Sequence, residues 1–146
     1  MTSVSDDDVF AAYPTVPIDV DNLEHYRGLL SRKLLVNRCS ACGTWIYPHR
    51  PMCPRCWSWD VVPTEVSGDG SVFMFTLIQQ ERDPSAPMTG PTVVAAVELA
   101  EQDGLRYLSQ IVNCPPDAIE LDMPVRLVWI EQAGRPAPAF EPTGGS

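Results

Sequence analysis

Four of the five cysteines fall in two Cys-x-x-Cys pairs, Cys39-Ser-Ala-Cys42 and Cys53-Pro-Arg-Cys56, separated by ten residues. Zn²⁺ has no ligand-field preference and settles into a tetrahedron of thiolates, which two such loops supply from opposite sides. Cys39, Cys42, Cys53 and Cys56 are therefore the candidate metal ligands. Four thiolates fill the coordination sphere and leave no position for a water, which points to a structural zinc rather than a catalytic one; the same donor set accepts iron. Gly43 follows the first pair where a left-handed residue lets backbone N–H groups reach the sulfurs, and Trp57 holds the equivalent place after the second, a costlier choice. Pro54 stiffens the second loop at a position that needs no donor. Cys114 stands apart beside Pro115 and Pro116 and reads as a buried free thiol. His49, between the pairs, reads as a surface residue or one that supports the ligands, since four sulfurs are already at hand.

Those loops need strands to carry them. Leu34-Leu35-Val36 leads into the first pair and Val61-Val62 follows the second, which is how a zinc ribbon is built. Upstream, Asp21 with Glu24 three positions on has the form of a capping box. Leu23, Tyr26, Leu29 or Leu30, and Leu34 then recur at helical spacing, so one amphipathic helix is expected, with Gly28 able to shorten it. Downstream of the turn signal Ser67-Gly68-Asp69-Gly70 come four β-rich runs, Ser71 to Gln79, Thr92 to Ala100, Leu105 to Asn113 and Pro124 to Glu131. Asp103-Gly104 predicts an antiparallel hairpin between the second and third. Four or five such strands make a small closed or partly open barrel, of which the OB-fold is the commonest five-stranded case. The expected organisation is mainly β: a mobile leader over 1–18, a helical segment over 19–36, the ribbon over 37–63, the barrel over 64–132 and a mobile tail over 133–146. Gln80 to Pro91 reads as a long mobile loop.

The chain of 146 residues has a net charge of −9, which argues against binding to a phosphate backbone. Phe73, Phe75, Tyr107 and Trp129 could stack on bases, but Arg82, Arg106 and Arg126 lie among many carboxylates and form no positive groove. The charge is uneven. Residues 27–56 hold Arg27, Arg32, Lys33, Arg38, Arg50 and Arg55 with no Asp or Glu, a segment of +6 against −15 elsewhere. Part of this compensates a zinc tetrathiolate of formal charge −2; the rival reading is a dock for an acidic protein surface or a phosphorylated ligand such as coenzyme A. Along Ser71 to Ile78 both strand faces are apolar, so the outer one needs a cover, and the N-terminal helix or the ribbon is the preferred expectation over another protein. No catalytic constellation is visible, with His25 and His49 outside the barrel, and the chain alone is not expected to be an enzyme. No apolar run approaches the roughly 18 residues a bilayer demands, and the N-terminus is acidic where a secretory signal is basic. A cytoplasmic location is expected, where paired cysteines favour metal over disulfides.

Taken in order, Glu24-His-Tyr-Arg-Gly-Leu29, Leu35-Val-Asn-Arg-Cys-Ser-Ala-Cys-Gly43, Tyr47-Pro48, Cys53-Pro-Arg-Cys56, Ser67-Gly-Asp-Gly-Ser-Val72, Pro91 and Val93 to Leu99, and Leu121-Asp-Met-Pro-Val125 make a specific pattern. Over residues 20–131 the chain resembles the zinc-ribbon OB-fold family, long catalogued as a domain of unknown function and associated with acyl-CoA enzymes. The resemblance implies a rubredoxin-like ribbon followed by an OB-fold. It also implies a non-catalytic role beside a thiolase-superfamily subunit, either a thiolase or a lipid-transfer-type retro-aldolase that shortens a steroid side chain carried on coenzyme A. Fatty-acid degradation is a related setting. Zinc ligation carries over to Cys39, Cys42, Cys53 and Cys56, no catalytic residue carries over, and acyl-CoA is shared with the partner. Two positions depart from the family pattern: Trp57 replaces a small residue after the second pair, and Asp122 replaces the glycine before Met-Pro-Val. The competing classes are a nucleic-acid-binding module and a free-standing acyl-CoA-binding protein.

Overall fold

The computed structural model describes residues 4–78 and 91–143. Two short helices, α1 (Asp6–Ala12) and α2 (Leu23–Leu30), precede strands β1 (Leu35–Cys39), β2 (Trp45–Ile46) and β3 (Val61–Glu65). These three form an antiparallel sheet in the order β2-β1-β3. Then come β4 (Asp69–Ile78), β5 (Thr92–Leu99), β6 (Arg106–Ile111), β7 (Pro124–Gln132) and β8 (Arg135–Pro142), which close into a barrel in the order β4-β5-β6-β8-β7. All neighbours pair antiparallel except β6 with β8. This is the five-stranded Greek-key barrel expected from the sequence. Val72, Val93, Ala95, Val97, Leu99, Tyr107, Ile111, Val125 and Phe140 fill it, and the same core runs on through Leu34, Val36 and Trp45 to Leu29 and Val9.

Both chain ends differ from expectation. The leader contains α1, because Ser5 accepts from the Asp8 N–H and Asp8 accepts from the Ser5 N–H, a reciprocal cap. The Asp6-Asp7-Asp8 run sits where the positive end of a helix dipole favours carboxylates. Val9 and Tyr13 then enter the core. The proline-rich tail is β8, joined to β7 by a two-residue turn in which Ala133 and Gly134 both have positive φ (54° and 78°). Val112 donates to the carbonyl of Phe140, so the even-numbered residues of β8 direct their backbone groups away from β7. Pro136, Pro138 and Pro142 occupy those positions, and their missing N–H groups cost the β7–β8 ladder nothing.

The helix at 21–34 is shorter than its apolar spacing suggests. α2 starts at Leu23 with Asn22 as its N-cap and no side-chain cap bond; Asp19 instead receives the Asp21 and Asn22 N–H groups. It stops at Leu30, and Leu34 is buried from the turn beyond it. A Cβ on Gly28 would lie 2.8 Å from the Lys33 carbonyl and 2.9 Å from the Leu35 side chain, so glycine allows the chain to fold back over the helix at this point.

The β5–β6 hairpin is antiparallel as predicted, with Leu99 and Leu105 closing a longer loop than two residues. In β4 a bulge between Val72 and Met74 breaks the expected alternation. Val72 points into the core and Phe75 packs against it, while Phe73, Met74, Leu77 and Ile78 are exposed. Helices and ribbon therefore leave this face uncovered among the described residues, contrary to the expectation of internal coverage. The predicted loop at 80–91 lies outside the described residues apart from Pro91.

Candidate metal centre

β1 ends at Cys39 and β2 begins at Trp45, so the first Cys-x-x-Cys pair is the tight turn of a hairpin. The second pair leads into β3 through a matching turn. Two bonds recur in both: Cys39 N–H to Thr44 and Gly43 N–H to Cys39 in the first, Cys53 N–H to Ser58 and Trp57 N–H to Cys53 in the second. Gly43 has φ +81° and Trp57 φ +65°, so the two knuckles are copies of one backbone turn carrying a glycine in one and a tryptophan in the other. Asp122, the other departure from the family pattern, likewise takes a glycine-like conformation at φ +66°.

The four sulfurs converge within 4.8 Å of one another. Cys39 Sγ lies 3.5 Å from Cys56 Sγ and Cys42 Sγ 3.7 Å from Cys53 Sγ. Tetrahedral Zn–S bonds of about 2.3 Å place sulfurs about 3.8 Å apart, so this arrangement fits the ion. Cys39 and Cys53 are buried with Ile46 in a small core of their own, while Cys42 and Cys56 face solvent. The Thr44 hydroxyl, 3.1 Å from Cys42, holds that thiol down to about 6. Backbone N–H groups of Cys56 and Arg55 lower Cys53. At Cys56 the backbone bond at Ser58 acts downward, but hydrogen bonding with Cys39 and burial push it up to about 12. Cys42 is thus the readiest of the four to ionise and Cys56 holds its proton most tightly, a proton that a metal displaces on binding.

Ribbon, helix α2 and barrel meet at an aromatic seam the sequence reading did not foresee. His25 is buried, its Nδ1 donating to the Leu35 carbonyl at 3.0 Å. That leaves Nε2 to accept from the Tyr107 hydroxyl at 3.4 Å. His49 lies tilted against His25 at 4.8 Å between ring centroids, and Tyr47 meets His49 edge-on and Tyr107 at a tilt. His49 is therefore half-buried in this seam. Burial lowers both imidazoles, His25 to about 4. A second tie is Gln102, whose amide accepts from the Trp45 N–H at 2.9 Å and donates to the Trp45 carbonyl at 3.1 Å, standing in for a strand along the free edge of β2.

The basic segment divides in two. Arg27 pairs with Asp6 and Glu24, Arg32 with Glu131, and Arg38 bonds the Gly43 carbonyl and lies over Trp45. Arg50 and Arg55 have no ion-pair partner among the described residues and line an open groove of about 680 Å³ between Thr44–Pro48 and Gln102–Leu105. Cys114 is half-buried, not enclosed, and its thiol is raised chiefly by desolvation. Of the four aromatics weighed for base stacking, Tyr107 is buried in the seam, Phe75 packs on the core, Trp129 is half-buried, and Phe73 is exposed under the Arg106 guanidinium. They form no common platform. No described helix is long and apolar enough to cross a membrane.

A family model described as "ChsH2, rubredoxin-like zinc ribbon domain" matches residues 27–62, and one described as "ChsH2, C-terminal OB-fold domain" matches residues 63–130. A probable enoyl-CoA hydratase alpha subunit of Thermomonospora curvata is 38% identical over 121 residues; these are 83% of this chain but 37% of that protein, so the chain spans little more than a third of its length. A DUF35 domain-containing scaffold protein of Methanothermobacter thermautotrophicus is 36% identical over 94 residues, 64% of this chain and 68% of that one. A solved structure of an Ltp2-ChsH2(DUF35) aldolase superposes with a TM-score of 0.76 at 37% identity, covering 87% of this chain and 98% of the matched chain. With its cysteine knuckles, its barrel order and these relatives in agreement, the chain belongs to the DUF35 family of ChsH2-type zinc-ribbon OB-fold proteins.

Proposed function

We propose that this protein is a non-catalytic accessory subunit of a thiolase-superfamily enzyme, a thiolase or a lipid-transfer-type retro-aldolase acting on acyl-CoA of the fatty-acid or steroid side-chain class. Cys39, Cys42, Cys53 and Cys56 hold a structural Zn²⁺ that fixes the ribbon against the barrel. The observation that carries this reading is the likeness to the DUF35 chain of an Ltp2-ChsH2 aldolase over nearly that chain's whole length. A relative named as a scaffold protein points the same way. The geometry agrees: His25 and Tyr107 face each other inside the seam, where they hold ribbon and barrel together. The exposed Phe73, Met74 and Leu108 give the barrel an apolar outer face suited to a protein neighbour. Paired cysteines gathered for a metal rather than for disulfides suit a cytoplasmic setting.

Co-expression with a candidate thiolase-superfamily subunit tests the proposal. A stable hetero-oligomer is expected, with loss of the partner's solubility or carbon–carbon bond cleavage when this chain is omitted. A chain that elutes alone and leaves every such candidate unaffected contradicts it.

A further inference from the structure

Trp57 is exposed to 73% and Trp59 to 72%, the largest exposed aromatic surface among the described residues. Trp57 is also strained. It occupies the left-handed position that Gly43 fills in the twin knuckle, a backbone conformation in which any Cβ is crowded. An exposed indole offsets none of that cost within the chain, so a glycine would serve the fold better. Arg55 belongs to the same knuckle and lines one open groove with Arg50, and neither has an ion-pair partner among the described residues, although the chain carries nearly twice as many carboxylates as cations. Strain without packing and charge without a counter-ion meet at the second knuckle.

We infer that this knuckle, with Trp57 and Trp59 as anchors and with Arg55 and the Arg50 that shares its groove as cations, is the surface that enters the partner subunit. The inference rests on the accessory role proposed above. The chemistry of the occupant follows by complementarity: an apolar pocket wide enough for an indole, rimmed by carboxylates. Tryptophan and arginine are the residues that most often dominate binding when buried at an interface. A second copy of this chain is a poorer occupant, since a two-fold contact through the knuckle would set the same cations against each other.

The test uses the full chain labelled with 5-fluorotryptophan and an unlabelled thiolase-superfamily partner. The ¹⁹F resonances of Trp57 and Trp59, assigned by substitution, are expected to shift on complex formation, and Trp57→Gly and Trp59→Ser are each expected to weaken the complex at least tenfold. Arg55→Glu is expected to weaken it and to remove most of its salt dependence. Trp57→Gly keeps the knuckle folded, because glycine suits the backbone there, and its metal content and melting temperature report that directly. A partner that binds the wild type and these variants equally overturns the inference while leaving the accessory role intact. A wild-type chain that binds no partner overturns the accessory role itself. Self-association of the isolated chain that Trp57→Gly abolishes would reassign the knuckle to a second copy and overturn the inference as well.

Discussion

Arg135 lays its guanidinium 4.3 Å over the ring of Tyr13 while donating to the carbonyl of Ala12, so the last barrel strand clamps the first helix. The two ends of the chain hold each other. Arg135→Ala removes a cation–π contact and a charge-assisted hydrogen bond and is expected to cost about 1–2 kcal/mol in urea unfolding. Tyr13→Phe should be neutral or slightly stabilising, because the buried Tyr13 hydroxyl has no hydrogen-bond partner.

Acid should weaken the seam. His25 is neutral in the fold, with its pKa lowered from 6.5 to about 4 chiefly by burial. Below pH 6.5 the unfolded chain takes up a proton that the folded chain refuses, so stability falls as the pH drops from 6.5 towards 4 and levels off below. The loss at His25 amounts to roughly 3 kcal/mol, and His49 acts in the same direction. Unfolding titrations at pH 7 and pH 4.5 on wild type and His25→Gln separate this from carboxylate effects: the variant should lose most of the difference over that window.

Gln102 couples ribbon to barrel through both hydrogen-bonding groups of Trp45. Gln102→Ala is expected to cost about 1–2 kcal/mol. Hydrogen exchange at the Trp45 amide should accelerate well beyond that of amides in β5, since the change loosens one seam and leaves the barrel ladder intact.

The twin knuckles predict opposite effects for opposite substitutions. Gly43→Ala puts a Cβ at φ +81° and is expected to cost about 1 kcal/mol or more of stability. Trp57→Gly relieves the same crowding, and thermal unfolding should show it unchanged or slightly more stable.

The cysteine spacing, the four barrel strands before residue 132 and the ribbon's flanking strands were legible because each signal is local: a ligand motif, an alternation, a turn dipeptide. What escaped depends on long-range context. Pro136 and Pro138 look like strand breakers until one knows that their nitrogens face away from β7. Asp6 to Asp8 look like solvent-loving chain until Val9 and Tyr13 find the core. The bulge at Phe73 turns a plain alternation into an exposed apolar face. His25, His49, Tyr47 and Tyr107 come from three different elements, so their seam has no sequence signature at all.

A metal joining Cys39, Cys42, Cys53 and Cys56 is what holds the two knuckles together. Zinc K-edge absorption on freshly purified, reduced protein measures it directly. The prediction is one zinc per chain with four sulfurs at about 2.3 Å and no oxygen or nitrogen in the shell. A folded protein with no stoichiometric metal, or a metal bound through fewer than four sulfurs, would contradict it.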